Sequence, residues 1–293
     1  MKIRRSLGEC FGHVLVVSFL IIFALITLYP FWHVLMYSIS DSRAAMTGGL
    51  FFLPRKTTFL SYEMIFKTRQ IFVSYSNTLL RTLFGTILSL LLSALTAFSL
   101  SLKRLRGRNF FSMLIFFTML FNGGMIPTFL LVQDLGLVDT FWALIIPNAR
   151  SAYNMFILRN YFQQLPPSLE ESAYIDGANP PRVLFSIILP ISAPALAAVA
   201  MFYGINNWNA YLDCILYTNS DKLQVLQVYL RNLLASAGAM NAVASVGGAD
   251  ASTLSEETVK MTTIAVSVIP ILLVYPFLQR YYTKGITVGA VKG

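Results

Sequence analysis

Charged side chains are scarce in this sequence of 293 residues. Asp, Glu, Lys and Arg together make up 12% of the chain, 56% of the residues are hydrophobic, and the mean hydropathy is +0.65. A soluble domain of this size carries about twice that fraction of charge. The composition therefore excludes an ordinary soluble protein and indicates a membrane protein that crosses the bilayer several times.

Residues that bind metals or nucleotides are also rare. The two cysteines, Cys10 and Cys214, lie far apart, and the two histidines, His13 and His33, form no cluster. This spacing fits no zinc motif, and we expect both cysteines to be free thiols. The sequence also lacks a GxxxxGK loop followed by Ser or Thr. We therefore expect no metal, no cofactor and no ATPase activity in this chain.

Six apolar stretches are long enough to cross a bilayer, which takes about 20 residues each. They lie near residues 13–39, 76–102, 109–132, 141–162, 191–217 and 262–282. The first runs into the aromatic residues 29–32 rather than a small-residue cleavage site, which favours a retained helix over a cleaved signal peptide. The sequence thus predicts an all-α protein with six transmembrane helices, a single domain over residues 1–293.

The distribution of lysine and arginine predicts the orientation in the membrane. With the N-terminus in the cytosol, more of these residues fall in cytosolic segments than in the longer outside loops, and the densest cluster, residues 103–108, joins two closely spaced spans. We therefore predict that both termini are cytosolic. Topology then explains the net charge of +9, and no nucleic-acid partner is expected.

The outside loops carry weaker signals. Residues 40–75 predict a cap with short helices, and residues 236–255, rich in Gly, Ala and Ser, predict a flexible loop. Residues 221–235 predict an amphipathic helix on the membrane surface or against a partner, because five leucines share one face. These are Leu223, Leu226, Leu230, Leu233 and Leu234.

Residues 166–194 form a polar, proline-punctuated segment between two predicted spans. Ser168 and Glu171 have the spacing of a capping box, and Gly177 suits the left-handed residue that ends a helix. Asn179 followed by Pro180 signals the start of a second helix. The segment therefore predicts two short helices joined by a tight turn. Such a rigid cytosolic element is suited to transmit force to a partner.

This segment resembles the EAA loop of ATP-binding cassette (ABC) importer permeases, and we call it the EAA-like loop. The matching residues are Glu171, Ser172, Ala173 and Gly177, with Ser in place of the middle Ala, and Leu189 with Pro190 at the end. Further motifs occur in the order found in the carbohydrate-uptake branch, close to the maltose-type second permease. They are LYP at 28–30, FNGGMIPT at 121–128, WNAY at 208–211 and VGAVKG at 288–293.

The resemblance implies both fold and function. It implies a MetI-like transmembrane domain that serves as the permease subunit of an ATP-driven carbohydrate importer, for an oligosaccharide that is neutral or acidic. It also implies four kinds of partner: a second related permease, two cytosolic ATPase subunits that bind ATP and Mg²⁺, an extracytoplasmic solute-binding protein, and the oligosaccharide. The chain itself would carry out no covalent chemistry.

The resemblance also implies a coupling site. Glu171 would present its carboxylate to a basic residue of the ATPase; the alternative is a capping-box glutamate that stabilises only its own helix. Ser172, Ala173 and Gly177 complete the implied site. Asp176 belongs to it as well, with a plain polar residue at a helix end as the alternative.

Amides and aromatic rings cluster late in the fifth predicted span. They are Asn206, Asn207, Trp208, Asn209 and Tyr211. Amides hydrogen-bond sugar hydroxyls and aromatic rings stack on the apolar face of a pyranose, so the cluster predicts a lining of the substrate path. The alternative is contact between helices together with an aromatic belt at the membrane interface.

Arg150, in the fourth predicted span, is a second candidate for contact with substrate. A charged residue inside a membrane faces water or an opposite charge, which suggests a cavity that meets an acidic sugar. The alternatives are a side chain that reaches the interface, or one paired with an acid of a partner subunit. Asn122, Gly123, Gly124 and Pro127 predict a break near the end of span three, either a gate hinge or a helix terminus.

Two other classes of membrane protein were considered. A carrier coupled to protons or sodium usually needs acidic residues inside the membrane, and here Asp213 is the one nearby acid, with Glu256 and Glu257 preceding the last span. A structural or signalling protein would leave the EAA-like loop unexplained.

Overall fold

The computed structural model describes residues 7–234 and 254–290, and within these ranges the regular structure is helical apart from one isolated bridge between Ser40 and Thr57. The α-helices in chain order are α1 (Leu7–Ser38), α2 (Ser42–Ala45), α3 (Leu60–Lys67), α4 (Arg69–Ser101), α5 (Arg108–Leu120), α6 (Met125–Asp134), α7 (Ala152–Gln163), α8 (Ser168–Ile175), α9 (Pro180–Val183), α10 (Leu189–Ile191), α11 (Ala193–Asn209), α12 (Leu212–Tyr217), α13 (Leu226–Leu234) and α14 (Glu256–Ala290). The predicted all-α class is confirmed.

Contacts divide the chain into two compact units, residues 1–68 with 232–269 and residues 69–231 with 270–293. The single domain predicted from the sequence stays a prediction.

The first unit is built around the end of α1. The Tyr37 hydroxyl donates to Glu257 Oε2 at 2.9 Å, and the Thr262 hydroxyl donates to the Ser38 carbonyl at 3.3 Å, so the start of α14 is tied to α1. Tyr37, Ala45 and Phe51 form a small buried cluster beside these bonds. As predicted, residues 40–75 contain short helices, α2 and α3.

The second unit is centred on α4, which packs against α7 and α11. Small residues on α4 allow close approach: a Cβ added at Gly85 would lie 3.0 Å from the Asn207 amide nitrogen, and the Ser93 hydroxyl is 2.6 Å from the Tyr203 hydroxyl. Small and hydroxyl-bearing residues are typical of helix contacts in membranes, where backbones pack closely. The main core of the unit contains Ala94, Ala97, Phe98, Leu158, Phe162, Val183, Leu184, Val199 and Tyr203.

The predicted spans correspond only in part to continuous helices. Among the described residues, 11–38 and 69–101 are each long and apolar enough to cross a membrane. Two further spans would each be a bent pair of helices, α5 with α6 at 114° and the segment 180–191 with α11 at 86°. The count of six spans therefore stays a prediction, although α14 contains the predicted residues 262–282.

The span predicted over 141–162 is not one continuous helix. Residues Phe141–Leu144 form a 3₁₀ turn, and α7 starts only at Ala152 with the Ser151 hydroxyl as its cap, 3.3 Å from the Asn154 nitrogen. Pro147 lies in the gap, and proline lacks the amide hydrogen that a helix needs there. The break predicted near the end of span three is present: α5 ends at Leu120, α6 begins at Met125, and Gly124 between them adopts a φ of +93°.

The predicted amphipathic helix over 221–235 is also shorter and differently placed. Residues Asp221–Leu223 form a 3₁₀ turn and α13 begins at Leu226. Leu226 and Leu230 pack against Trp208 inside the same chain, so for these leucines the predicted membrane or partner contact is wrong. The predicted loop 236–255 lies outside the described residues except for its last two.

Candidate functional site

The EAA-like loop begins with α8, and the capping box predicted at its start is wrong. The residue before the helix is Pro167, Ser168 lies inside the first turn, and no side chain caps the helix. Its first amide nitrogens donate instead to the carbonyl oxygens of Pro166 and Pro167 at 3.0–3.1 Å. A proline ring holds φ near the helical value, so these two prolines can start the turn by themselves.

The turn after α8 has the predicted geometry. Gly177 adopts a φ of +78°, its amide donates to the Tyr174 carbonyl at 3.1 Å, and the Ala178 amide donates to the Ala173 carbonyl at 2.9 Å. This pair of bonds is a Schellman motif, which needs a left-handed residue and therefore favours glycine. The tight turn expected from the sequence is present.

The next helix also starts as predicted and leads towards α11. The Asn179 side chain accepts from the Arg182 amide at 3.0 Å, with Pro180 in the first helical position. Helix α9 continues through a π-helical stretch, Leu184–Ile188, into α10, and the chain then bends into α11. The EAA-like loop is therefore joined to α11 by consecutive short helical segments and a bend of 86°.

The predicted coupling residues share one exposed surface apart from Ala173. Glu171, Ser172, Asp176 and Gly177 are exposed, whereas Ala173 is 5% exposed and belongs to the main core. Ile175 is 85% exposed, an apolar side chain offered to the surroundings from the same helix. Within the described part of the chain the Glu171 carboxylate forms no ion pair. Helix α8 thus packs on the core through Ala173 and presents the acid Glu171 on its exposed side.

The basic turn at 103–108 lies against the other side of α8. The Arg104 guanidinium is 4.0 Å from the centre of the Tyr174 ring, and Leu105 packs on the core that contains Ala173. Burial raises the pKa of Glu170, and the nearby Arg104 charge opposes that rise. Burial likewise raises the pKa of the Tyr174 phenol, again opposed by Arg104. Arg104 therefore contacts α8 through the Tyr174 ring, and its charge favours the ionised form of Glu170.

A cleft of about 570 Å³, with polar and charged side chains in its lining, lies at the far end of α11. Its lining comes from the break before α6, the turn before α7, the end of α11 and helix α12. The lining residues are Asn122, Gly124, Met125, Thr128, Pro147, Asn148, Arg150, Asn206, Asn209, Ala210, Tyr211, Leu212, Asp213, Leu216 and Tyr217. Backbone breaks at 122–124, 145–151 and 210–211 surround the cleft, so the interruptions in the predicted spans are what opens it.

Four of the six predicted substrate-path residues line this cleft: Arg150, Asn206, Asn209 and Tyr211. Arg150 is exposed to it, and among the described residues it forms no ion pair. The Asn209 amide nitrogen donates to the Ile205 carbonyl at 2.9 Å, which leaves its oxygen free to accept. These four residues together offer the cleft one cation, two amides and one aromatic ring.

The other two predicted residues lie elsewhere. Asn207 is 3% exposed and packs against Gly85, and Trp208 is 7% exposed in the cluster with Leu226 and Leu230. Both side chains point to neighbouring helices, which is the interhelical alternative considered from the sequence. The helical period explains the split, since consecutive residues of α11 face different directions.

Sequence reasoning missed a buried charge network at the wall of the cleft. Arg81 of α4 forms an ion pair with Asp213, and the Asn148 amide donates to Asp213 Oδ2 at 2.6 Å. A charged residue inside a membrane span requires a partner, and Arg81 and Asp213 both lie within predicted spans. This requirement was the signal in the sequence from which the pair could have been found.

Comparisons with known proteins identify the family of this chain. Residues 71–288 match the family described as "Binding-protein-dependent transport system inner membrane component". The chain is 43% identical over 280 residues to the polygalacturonan/rhamnogalacturonan transport system permease protein YtcP of Bacillus subtilis (strain 168), covering 95% of this chain and 97% of that protein. It is 37% identical over 270 residues to Protein LplC of the same strain, covering 92% and 90%.

A solved structure is also similar over almost the whole chain. It is the crystal structure of a bacterial ABC transporter involved in the import of the acidic polysaccharide alginate, with a TM-score of 0.87, 35% identity, and coverage of 95% of this chain and 99% of the other. The chain therefore belongs to the family of binding-protein-dependent transport system inner membrane components, and it is a transport permease.

Proposed function

We propose that this permease carries an acidic oligosaccharide, one built from uronic acids, across the cytoplasmic membrane as part of an ABC importer. The observation that carries the proposal is Arg150, an exposed cation without an ion-pair partner among the described residues, in a cleft that also offers two amides and an aromatic ring. The relatives support the same class, since one is named for polygalacturonan and rhamnogalacturonan and another for alginate.

The chemistry of the cleft suits a uronic acid. A guanidinium forms paired hydrogen bonds with a carboxylate, and such charge-assisted bonds are stronger than neutral ones. Asn206 and Asn209 can bond sugar hydroxyls, and the Tyr211 ring can cover the apolar face of a pyranose. A volume of about 570 Å³ lies within the usual range for small-molecule sites.

Coupling to ATP hydrolysis is assigned to α8. Glu171 and Ile175 together offer an acid and an apolar contact to an ATPase subunit, and the buried Ala173 and the Schellman turn keep the helix rigid. A displacement of α8 would be passed along α9 and α10 to α11, whose last turn carries Asn206 and Asn209 in the cleft. This path connects the proposed docking surface with the proposed substrate site.

The remaining parts of the importer are proposed from the family. Two ATPase subunits would bind ATP and Mg²⁺, a second related permease would complete the pathway, and a solute-binding protein would deliver the sugar from outside. The proposed topology has six spans and cytosolic termini. A carrier driven by an ion gradient is disfavoured because its candidate acid, Asp213, is already paired with Arg81 and Asn148.

Substitution of Arg150 tests the proposed substrate. In proteoliposomes that contain the whole transporter and its binding protein, uptake of an oligogalacturonate is compared with uptake of its methyl ester, which has the same sugar rings without the charge. Arg150→Gln should lower uptake of the acid about ten-fold more than uptake of the ester, because a hydrogen bond to a charged group contributes about 1.5–3 kcal/mol.

Arg150→Lys is the matched control. It keeps the charge but loses the planar fork, so its defect should be intermediate. Equal losses for the acid and the ester would contradict the substrate role and favour a structural one, as would failure of Arg150→Gln to assemble with its partners.

A further inference from the structure

Arg81 lies on α4, and its charged side chain is completely buried. Its relative exposure is 0%, it forms an ion pair with Asp213, and its Nη1 donates to the Ala210 carbonyl at 3.0 Å. An arginine in a membrane helix is costly unless its charge is paired. The pair therefore balances the charge of Arg81, and it also changes what Asp213 contributes to the cleft.

Asp213 lies at the wall of the cleft with a relative exposure of 8%. One oxygen, Oδ2, is shared between Arg81 and the Asn148 amide, and the other, Oδ1, accepts from the Cys214 amide at 2.9 Å. Helix α4, the turn before α7 and helix α12 thus meet at one carboxylate.

This network decides the sign of the charge that the cleft presents. Asp213 and Arg150 both line the cleft, so an unpaired Asp213 carboxylate would offset the attraction of Arg150 for an anion. Arg81, which does not line the cleft, pairs with the Asp213 carboxylate and neutralises its charge. Arg150 is then left as the uncompensated charge at this wall.

We propose that Arg81 determines the preference of this permease for anionic sugars, acting through Asp213 without touching the substrate. In this role Arg81 is a positioning and charge-balancing residue. The inference rests on the proposed function, because it assumes an acidic substrate in the cleft, and it adds a second residue, distant in sequence, to the basis of that specificity.

The test compares the uptake ratio of an oligogalacturonate and its methyl ester in the parent transporter and in variants, with the same binding protein in every sample. Arg81→Gln leaves the Asp213 carboxylate uncompensated and should lower the ratio of acid to ester about five-fold, the effect of one unit charge at a partly hydrated site. The double variant Arg81→Gln with Asp213→Asn removes both charges, keeps two groups able to hydrogen-bond, and should restore the ratio to within about two-fold of the parent.

A purely structural role for Arg81 predicts a different pattern. Uptake of the acid and uptake of the ester would then fall together in Arg81→Gln, and the double variant would not raise uptake of the acid more than uptake of the ester. That pattern would overturn the inference and leave the proposed function intact. If Arg81→Gln does not assemble, Asn148→Asp adds a surplus carboxylate at the same wall and must lower the ratio as well; an unchanged ratio overturns the inference. A parent that takes up the ester but not the acid overturns the proposed function together with the inference.

Discussion

Glu171 lies on the exposed side of α8, whereas its neighbour Glu170 is partly buried near Arg104. Adjacent residues of a helix face different directions, so two glutamates of the same motif have different surroundings. Because no capping box forms, Glu171 has no bond to the start of its own helix. Its free carboxylate is the reason to assign it to a partner contact.

Charge reversal at this residue gives the first prediction. Glu171→Lys should leave the permease inserted, because the direct cost is the loss of a favourable interaction between an acid and the helix N-terminus, about 0.3–1 kcal/mol. The ATPase subunits should dissociate or lose substrate-stimulated hydrolysis, measured by co-purification and by ATPase assays in proteoliposomes. Glu171→Gln removes only the charge, so its defect should be intermediate. Full ATPase content and normal stimulation with Glu171→Lys would refute the coupling role.

At the scale of elements, the connection between α8 and α11 combines a tight turn with a long helical path. The Schellman motif at Gly177 and the cap at Asn179 join α8 to α9 with only a few residues between them. Short connections with satisfied backbone groups bend little, which suits an element that transmits displacement. The π-helical stretch and the bend before α11 are the two places where this path departs from a regular α-helix.

The turn itself can be tested at Gly177. A Cβ at this position would meet nothing within 4 Å in this chain, so the cost of a side chain is the left-handed backbone alone. Gly177→Ala should lower stability by about 1–2 kcal/mol, seen as a lower midpoint of thermal unfolding of the purified permease. Gly177→Asn is the matched control and should lose less, because asparagine tolerates this conformation. Equal losses for the two variants would show that backbone strain is not the cause.

At the scale of the whole molecule, the EAA-like loop and the cleft depend more on the distribution of charge and on the breaks in the helices than on any one span. Basic residues concentrate in the turn at 103–108, next to the EAA-like loop. The cleft, in contrast, lies where helices stop, at 122–124, 145–151 and 210–211. Irregular backbone is tolerated at membrane depth where it lines a cavity, because water or substrate can then satisfy the backbone groups.

Topology gives the prediction at this scale. In a background with Cys10→Ser, the remaining Cys214 is buried and should stay unlabelled. Gln164→Cys should react with an impermeant thiol reagent only from the cytosolic side, and Leu53→Cys only from outside, because positive charge favours the cytosolic side. Both positions are exposed in this chain. Labelling of either cysteine from the opposite side would reject the proposed orientation.

Much of the EAA-like loop could be predicted from the sequence. Gly177, Asn179 and Pro180 act through hydrogen bonds and backbone angles within a few residues, so their local pattern was sufficient. The start of α8 was missed, because Ser168 with Glu171 and Pro166 with Pro167 offer competing signals and the prolines prevail. The span predicted over 141–162 contains an interruption that hydropathy does not reveal, because hydropathy measures length and polarity but not continuity.

The sequence by itself determined the class of protein, the all-α fold and the turn chemistry of the EAA-like loop, because these follow from composition and from contacts between near neighbours. Only the tertiary structure decided which amides face the cleft, separating Asn206 and Asn209 from Asn207 and Trp208. It also decided the charge of the cleft, through Arg81 and Asp213, which lie 132 positions apart. Such a pair forms only when the tertiary fold brings the start of α12 next to α4, and the local sequence around either residue does not indicate that contact.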